Sequence, residues 1–200
     1  PKDAVKAGIG MVHQHFMLTE SLTVLDNIII ADDDVLYKNF LNRHFLKLIN
    51  RKKALEKIKF ICDQYRIELP LNSLVKECPL GVRQKIEIVK LLYKNSEILI
   101  LDEPTAVLTP PEADDLFEGL KILKQLGKTI VVVTHKLQEV FNHTDDITIL
   151  RSGEVSGEIL TKDANEEIIT KLMIGRNIDD KQYKTKVDKV GETLLEIKNL

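Results

Sequence analysis

The chain has 200 residues, enough for one domain with an ordinary hydrophobic core, since 44% of its residues are apolar. Its 29 basic and 31 acidic residues are interspersed and leave a net charge of −2, so no cationic block indicates binding to nucleic acid. The two cysteines are too few for a disulfide framework, and no apolar run reaches the roughly 18 residues of a membrane-spanning helix.

Four short runs rich in β-branched residues predict buried strands, at 9–13, 98–101, 129–134 and 147–150. Apolar residues between these runs recur at helical spacing and predict helices at 23–31, 51–65, 82–93 and 114–126. Strands that alternate with helices are typical of an α/β fold with a parallel sheet that helices cover on both faces. The stretch 22–95 is almost purely helical, which predicts a helical subdomain inserted between two strands.

Two helix starts carry capping-box sequences, which are Thr109-Pro110-Pro111-Glu112 and Asp163-Ala164-Asn165-Glu166. In the first, the threonine hydroxyl and the Glu112 carboxylate can each bond the other residue's backbone amide, and Pro110 suits the first helical position. The second predicts a helix that runs to about Met173.

The C-terminal part of the chain changes character at residue 176. Residues 176–192 are polar and rich in Lys and Asp, which indicates a linker. Residues 193–200 alternate in polarity and predict the first strand of a second domain. We therefore predict one domain at 1–175, followed by the linker and the start of another.

The predicted strand at 98–101 ends in two consecutive carboxylates, Asp102 and Glu103. Phosphoryl transfer needs a magnesium ion near the phosphates and a correctly oriented attacking water. The first carboxylate could hold the metal, and the second, pointing elsewhere, could orient the water. Two acidic residues at a turn can also be only structural, but the following Pro104-Thr105 favours nucleotide hydrolysis.

Three other positions become informative beside that pair. Gly81 opens a predicted helix whose N-terminal amides could bind phosphate, although a glycine at such a junction often serves the turn alone. His135 follows a strand and could contact a phosphate, although a single histidine there is commonly structural. Gln14 follows the first strand, and its side-chain oxygen could reach a metal ion or its water.

The order Gln14, Gly81, Asp102-Glu103, His135 resembles the Q-loop, signature, Walker B and switch histidine of the ABC ATPases. The resemblance implies the fold of a P-loop NTPase. It implies that Gln14 and Asp102 bind Mg²⁺, that Glu103 polarises water and that His135 contacts the γ-phosphate of ATP. The signature would contact an ATP bound on a partner cassette, through Gly81, Val82 and Gln84.

Within that family, the segments 12–18, 104–110 and 134–137 resemble the first cassette of tandem-cassette importers for simple sugars and nucleosides. This implies a second cassette, normally in the same full-length chain, and transmembrane permease subunits as partners. It also implies an indirect link to a substrate-binding protein, a peripheral place on the cytoplasmic face of the membrane, and no nucleic-acid partner.

Three departures from the family pattern matter. The 200 residues contain no G-x-x-x-x-G-K-[ST] phosphate loop, and Gly127-Lys128-Thr129 cannot serve as one because it ends a helix and leads into a strand. We therefore expect an incomplete cassette whose true start lies upstream. Pro79 stands where the family usually has a serine whose hydroxyl bonds phosphate, and Thr109 replaces the D-loop aspartate.

Two alternatives remain open. A soluble ABC protein acting on ribosomes or DNA would share the signature and the acidic pair, but such proteins typically carry Asn-His-Leu-Asp where this chain has 106–109. A non-catalytic structural or regulatory fragment would explain the missing phosphate loop, but Glu103 and His135 would then have no chemical purpose.

Overall fold

The computed structural model describes residues 2–30 and 51–175, and the chain divides into two compact units at 1–143 and 144–200. The predicted linker at 176–192 and the predicted strand at 193–200 lie outside the described residues. The elements of the first unit are α1 (Lys2–Lys6), β1 (Ile9–Val12), α2 (Val24–Ile30), α3 (Arg51–Tyr65), α4 (Leu80–Tyr93), β2 (Ile98–Asp102), α5 (Pro110–Gln125), β3 (Thr129–Val133) and α6 (Leu137–His143). A 3₁₀ turn at Val75–Glu77 precedes α4.

The first unit is built on a parallel sheet, as the sequence predicted. Its strands lie in the order β1-β2-β3. Val12 pairs with Leu101, and Asp102 pairs with Val133, so the carboxyl ends of the three strands lie at one edge. Ligands of open parallel sheets bind outside that edge. The residues that follow the three strands are therefore the first place to look for a site.

One face of this sheet is fully covered. Leu99 and Leu101 of the central strand are 0% exposed and belong to one hydrophobic cluster with residues of α4 and α5, among them Ile86, Val89 and Leu123. The prediction that helices cover both faces differs from the structure. Within the described residues the other face stays open, because Met11, Val131 and Val133 are each more than two-fifths exposed.

The helices between β1 and β2 share the sheet's hydrophobic cluster rather than forming a core of their own. α2 contributes Ile28, α3 contributes Ile58 and α4 contributes Ile86, all 0% exposed. Their strongest helix-to-helix contacts are with α4. The stretch predicted as a helical subdomain thus packs on the sheet through α4, and its boundary at 22–95 stays a prediction.

The second unit contains β4 (Asp146–Arg151), β5 (Glu154–Leu160), a 3₁₀ turn at Thr161–Asp163, and α7 (Glu166–Ile174). The sequence predicted β4 but placed it in the parallel sheet, which is wrong, because it pairs antiparallel with β5. The two residues that join these strands, Ser152 and Gly153, both have positive φ, 53° and 83°. Such a two-residue connection is the tight hairpin turn that twisted antiparallel strands favour.

The last helix begins later than its predicted capping box. Its N-cap is Asn165, whose side-chain oxygen accepts a hydrogen bond from the backbone of Ile168 at 2.8 Å. Asp163, the predicted cap, lies in the preceding 3₁₀ turn. Either residue can cap a helix, and the 3₁₀ turn decides between them by shifting the helix start two residues on.

Two further findings concern the cysteines and the apolar length of the helices. Cys62 and Cys78 are both free thiols, and burial raises the pKa of Cys62 to about 11. Among the described helices none is long and apolar enough to cross a membrane.

Candidate functional site

The acidic pair lies at the carboxyl end of β2, the middle strand. The backbone of Glu103 has φ +45°, a left-handed conformation that is uncommon for residues other than glycine and clusters at functional sites. Its N–H donates to the carbonyl of Val133 at 2.8 Å. Asp102 is thus the last residue of the strand, and Glu103 begins the turn that follows it.

The Glu103 carboxylate joins the two other strand ends. Its Oε2 accepts a hydrogen bond from Nε2 of Gln14 at 3.2 Å, and its Oε1 lies 3.1 Å from Nδ1 of His135. Gln14 follows β1 and His135 follows β3, the two neighbours of β2. Glu103 is therefore in direct contact with two other predicted site residues, Gln14 and His135, which lie 89 and 32 positions from it in the sequence.

The contact with Glu103 fixes the proton on the imidazole. An ionised carboxylate can only accept a hydrogen bond, so Nδ1 of neutral His135 must carry its proton. Nε2 then has a free lone pair on a side chain that is 67% exposed. That nitrogen is accessible to a ligand that arrives from solvent.

The donor set at this edge fits magnesium. Asp102 presents a carboxylate, and Gln14 presents an amide oxygen beside the nitrogen that it gives to Glu103. Mg²⁺ prefers such oxygen ligands and usually completes its shell with phosphate oxygens and water. Among the described residues, no group of three His, Cys, Asp or Glu side chains could hold a metal by itself.

The predicted signature glycine lies in the first turn of α4. Pro79 is the N-cap and makes no side-chain capping bond. The carboxylate of Glu112, from α5, lies against this turn, and a Cβ added at Gly81 would be 3.0 Å from its Oε1. A larger residue at this position would require the end of the Glu112 side chain to shift by a few tenths of an ångström. The α4 N-terminus is met by an anionic group, as its dipole favours.

The structure separates Gln84 from the other signature residues. Val82 is half-buried, but Gln84 is only 3% exposed, and its Nε2 has no hydrogen-bond partner within the described part of the chain. That Gln84 contacts a partner's nucleotide stays a prediction, and in this conformation its side chain is buried. α4 turns this position toward the interior, which spacing from Gly81 alone did not reveal.

Sequence reasoning missed a buried ion pair that holds the segment after Gln14. Glu87 Oε1 accepts from the backbone N–H of Met17 at 2.8 Å, and Lys90 Nζ donates to the Met17 carbonyl at 3.0 Å. The two side chains also pair with each other at 2.9 Å. The available signal was an acidic residue between Ile86 and Ile88 on a mostly apolar stretch of helix.

A cleft of about 330 Å³ lies beside this segment. Its lining includes Gln14 and Phe16 from this segment, together with Leu80, Arg83 and Val107. It connects the Gln14 segment with the first turn of α4.

The predicted capping box of α5 is confirmed, and it makes stability depend on pH. The Glu112 carboxylate accepts bonds from the N–H of Thr109 at 2.9 Å and from its hydroxyl at 2.8 Å. These bonds from Thr109, backbone first, lower the pKa of Glu112 below 4.5, and a backbone bond from Gly81 adds to them. The charged form is favoured by folding, so its contribution to stability exists above pH 4.5 and is lost as the pH falls through the folded value.

Glu112→Gln should consequently lower the urea midpoint near pH 7, and its difference from the parent chain should shrink as the pH falls below 4.5. Urea unfolding followed by circular dichroism between pH 7 and pH 3 measures this. Glu118→Gln, at an exposed position of the same helix, is the control. A difference between parent and E112Q that stays constant with pH would contradict the assignment.

The chain is similar in sequence and in fold to known proteins. A protein-family model described as ABC transporter matches residues 1–106. A Mycoplasma pneumoniae protein with the provisional name carbohydrate transport ATP-binding protein is 38% identical over 200 residues, which is 100% of this chain and 35% of that protein. A nucleoside import ATP-binding protein of Lactococcus lactis subsp. cremoris is 36% identical, over 100% of this chain and 38% of its own length.

This chain therefore spans little more than a third of the length of these relatives. Among solved structures, the ADP conformation of an ATP-binding cassette of an ABC transporter is similar with a TM-score of 0.69. The alignment covers 88% of this chain and 72% of that one, at 23% identity. At that identity the likeness speaks for the fold alone.

Proposed function

This chain belongs to the ABC transporter ATP-binding family, and from that premise we propose that it binds and hydrolyses ATP to energise an importer of nucleosides or simple sugars. One observation supports the hydrolytic part most: the Glu103 carboxylate, at the carboxyl end of the central strand, is contacted by both Gln14 and His135. The names of the relatives, which concern carbohydrate and nucleoside import, support the substrate class.

Each side chain has a task in this proposal. Glu103 accepts a proton from the attacking water as the water oxygen bonds to the γ-phosphorus, the bond from that phosphorus to the β,γ-bridging oxygen breaks, and ADP leaves. His135 donates a hydrogen bond from Nε2 to the γ-phosphate. Asp102 and Gln14 would hold Mg²⁺, which neutralises charge on the phosphates. For this, Gln14 and His135 must leave Glu103, since both occupy its carboxylate oxygens in the nucleotide-free arrangement.

The first turn of α4 serves a nucleotide held by a second cassette. Gly81 is the residue of this turn that the phosphate would approach, and the Glu112 carboxylate has to move away from it first. Pro79 contributes neither a hydroxyl nor an amide, which leaves the turn fewer donors than the family pattern supplies. Permease subunits complete the assembly, with a substrate-binding protein as an indirect partner, at the cytoplasmic face of the membrane.

The 200 residues contain no phosphate loop, so we expect negligible ATP hydrolysis from these residues by themselves. A phosphate-release assay on the purified chain measures this. Rapid turnover would contradict the expectation that ATP hydrolysis needs that loop.

The deciding experiment uses the natural protein in its own cells. Deletion of the gene should reduce uptake of labelled nucleosides or labelled pentoses to passive entry, and the restored gene should recover it. A tagged copy should purify from membranes with polytopic membrane proteins. Unchanged uptake of both classes, with the tagged protein sedimenting with ribosomes, would overturn the importer proposal.

A further inference from the structure

Close to the residues of the contact between Glu103 and His135 is a ring of hydrogen-bonded residues, formed by Thr105, Thr134, Lys136 and Glu139. We propose that Glu139, on α6, is a positioning residue that sets the geometry of this pair. The inference rests on the proposed function for its purpose, but its evidence is structural. Nothing in the order of the family motifs singles out this residue.

The carboxylate of Glu139 bonds the two segments that carry the pair. Its Oε1 accepts from the hydroxyl of Thr105 at 2.6 Å, and its Oε2 accepts from the hydroxyl of Thr134 at 3.2 Å. Thr105 lies two residues after Glu103, and Thr134 directly precedes His135. One side chain thus connects the exits of β2 and β3.

Lys136 closes the ring from the other side. Its Nζ donates to the Thr105 hydroxyl oxygen at 3.0 Å, and its backbone N–H donates to the Thr134 hydroxyl oxygen at 3.1 Å. Each threonine hydroxyl has one proton, which it gives to Glu139, and accepts from Lys136 with its lone pairs. Every donor and acceptor in the ring therefore has a fixed direction.

The ring is partly buried, with the Lys136 side chain 41% exposed, and it is electrically balanced. Thr105 is 1% exposed, and the Glu139 side chain is 13% exposed. Lys136 Nζ also pairs with Glu139 Oε1 at 3.2 Å and bonds the Thr105 carbonyl at 3.0 Å. Hydrogen bonds away from water are strong and costly to leave unmade, so this geometry is held firmly.

The backbone hydrogen bonds between β2 and β3 end before His135, so the sheet itself does not fix the position of His135 relative to Glu103. The last bond between β2 and β3 at this edge joins the N–H of Glu103 to the Val133 carbonyl. α6, wholly within the described residues, buries none of its side chains in the core. This ring and the stacking of His143 against Phe117, with ring centroids 4.1 Å apart, both help to hold it in place. The distance from Glu103 to His135 therefore depends on Glu139.

The proton position on His135 reports that distance. While Glu103 accepts from Nδ1, the neutral imidazole is held as the Nδ1–H tautomer. If the ring opens, the contact loosens and the Nε2–H tautomer gains population. Nitrogen-15 NMR of the imidazole, at about pH 8 where neutral histidine dominates, measures the ratio. A role confined to stability would lower the melting temperature and leave the ratio unchanged.

Two variants of the 200-residue chain open the ring differently. Glu139→Gln keeps the shape but offers one acceptor oxygen to two hydroxyls, and Thr134→Val removes one hydroxyl at nearly constant volume. Both should raise the Nε2–H share several-fold, and Thr134→Ser should restore the parent ratio. Glu118→Gln and Thr148→Val, at exposed positions, are the matched controls and should not move it.

A parent-like tautomer ratio in folded E139Q or T134V, or failure of T134S to restore it, would overturn the proposal. If E139Q does not fold, T134V and T134S decide alone. Absence of ATP hydrolysis in the parent protein would instead overturn the proposed function, and the tautomer result would still decide the role of Glu139.

Discussion

Replacing Glu103 by Gln in the natural protein is expected to stop ATP turnover while ATP remains bound. The amide has nearly the shape of the carboxylate, so contacts with Gln14 and His135 survive in part. It cannot take a proton from water, however, and loss of a positioned general base costs about 10²- to 10⁴-fold in rate. Binding of ATP relies on other groups and should change little.

Phosphate release and retention of labelled ATP, measured on the same preparation, check this expectation. Glu118→Gln removes a carboxylate from an exposed position of α5 and serves as the control for charge alone. Turnover in E103Q equal to that of the parent would remove Glu103 from its assigned role. Loss of ATP binding together with turnover would point to a structural role for the carboxylate.

Truncation of Leu99 to Ala should produce the largest loss of stability. Leu99 is the second residue of the central strand, is 0% exposed and belongs to the cluster that joins the sheet to α4 and α5. Both neighbouring strands fix its backbone, so the cavity can close only partly. Such substitutions cost about 2–5 kcal/mol, a large part of the roughly 5–15 kcal/mol that stabilises a typical domain.

Urea unfolding of the 200-residue chain measures the loss. Leu126→Ala is the matched control, because Leu126 is 48% exposed at the end of α5 and should cost no more than about 0.5 kcal/mol. Equal losses in the two variants would mean that the sheet and helices do not share one core.

The sheet and the meeting of Gln14, Glu103 and His135 could be predicted because both follow from simple rules. Buried parallel strands are short apolar runs, and the ends of parallel strands meet at one edge. A residue placed just after each run is therefore near the residues after its neighbours. The order of motifs along the chain was enough to identify the edge.

The features that sequence reasoning missed depend on local geometry or on distant partners. Whether β4 joins the parallel sheet or a hairpin was decided by the positive φ of Ser152 and Gly153, a weak signal in a chain with nine glycines. The burial of Gln84 depends on how α4 is rotated about its axis. The bond between Thr105 and Glu139 joins residues 34 apart, and neither shows its partner in the sequence.

The left-handed backbone of Glu103 has a consequence for which residues natural variation can accept there. Glycine and asparagine adopt positive φ more easily than glutamate, which is disfavoured by an energy on the order of 1 kcal/mol. Selection for folding alone would therefore move this position away from glutamate. Selection for a carboxylate between Gln14 and His135 would hold it there. In copies of the gene that are no longer selected for a carboxylate at this position, we expect Glu103 to be replaced by glycine or asparagine. Such a replacement would mark the copy as inactive.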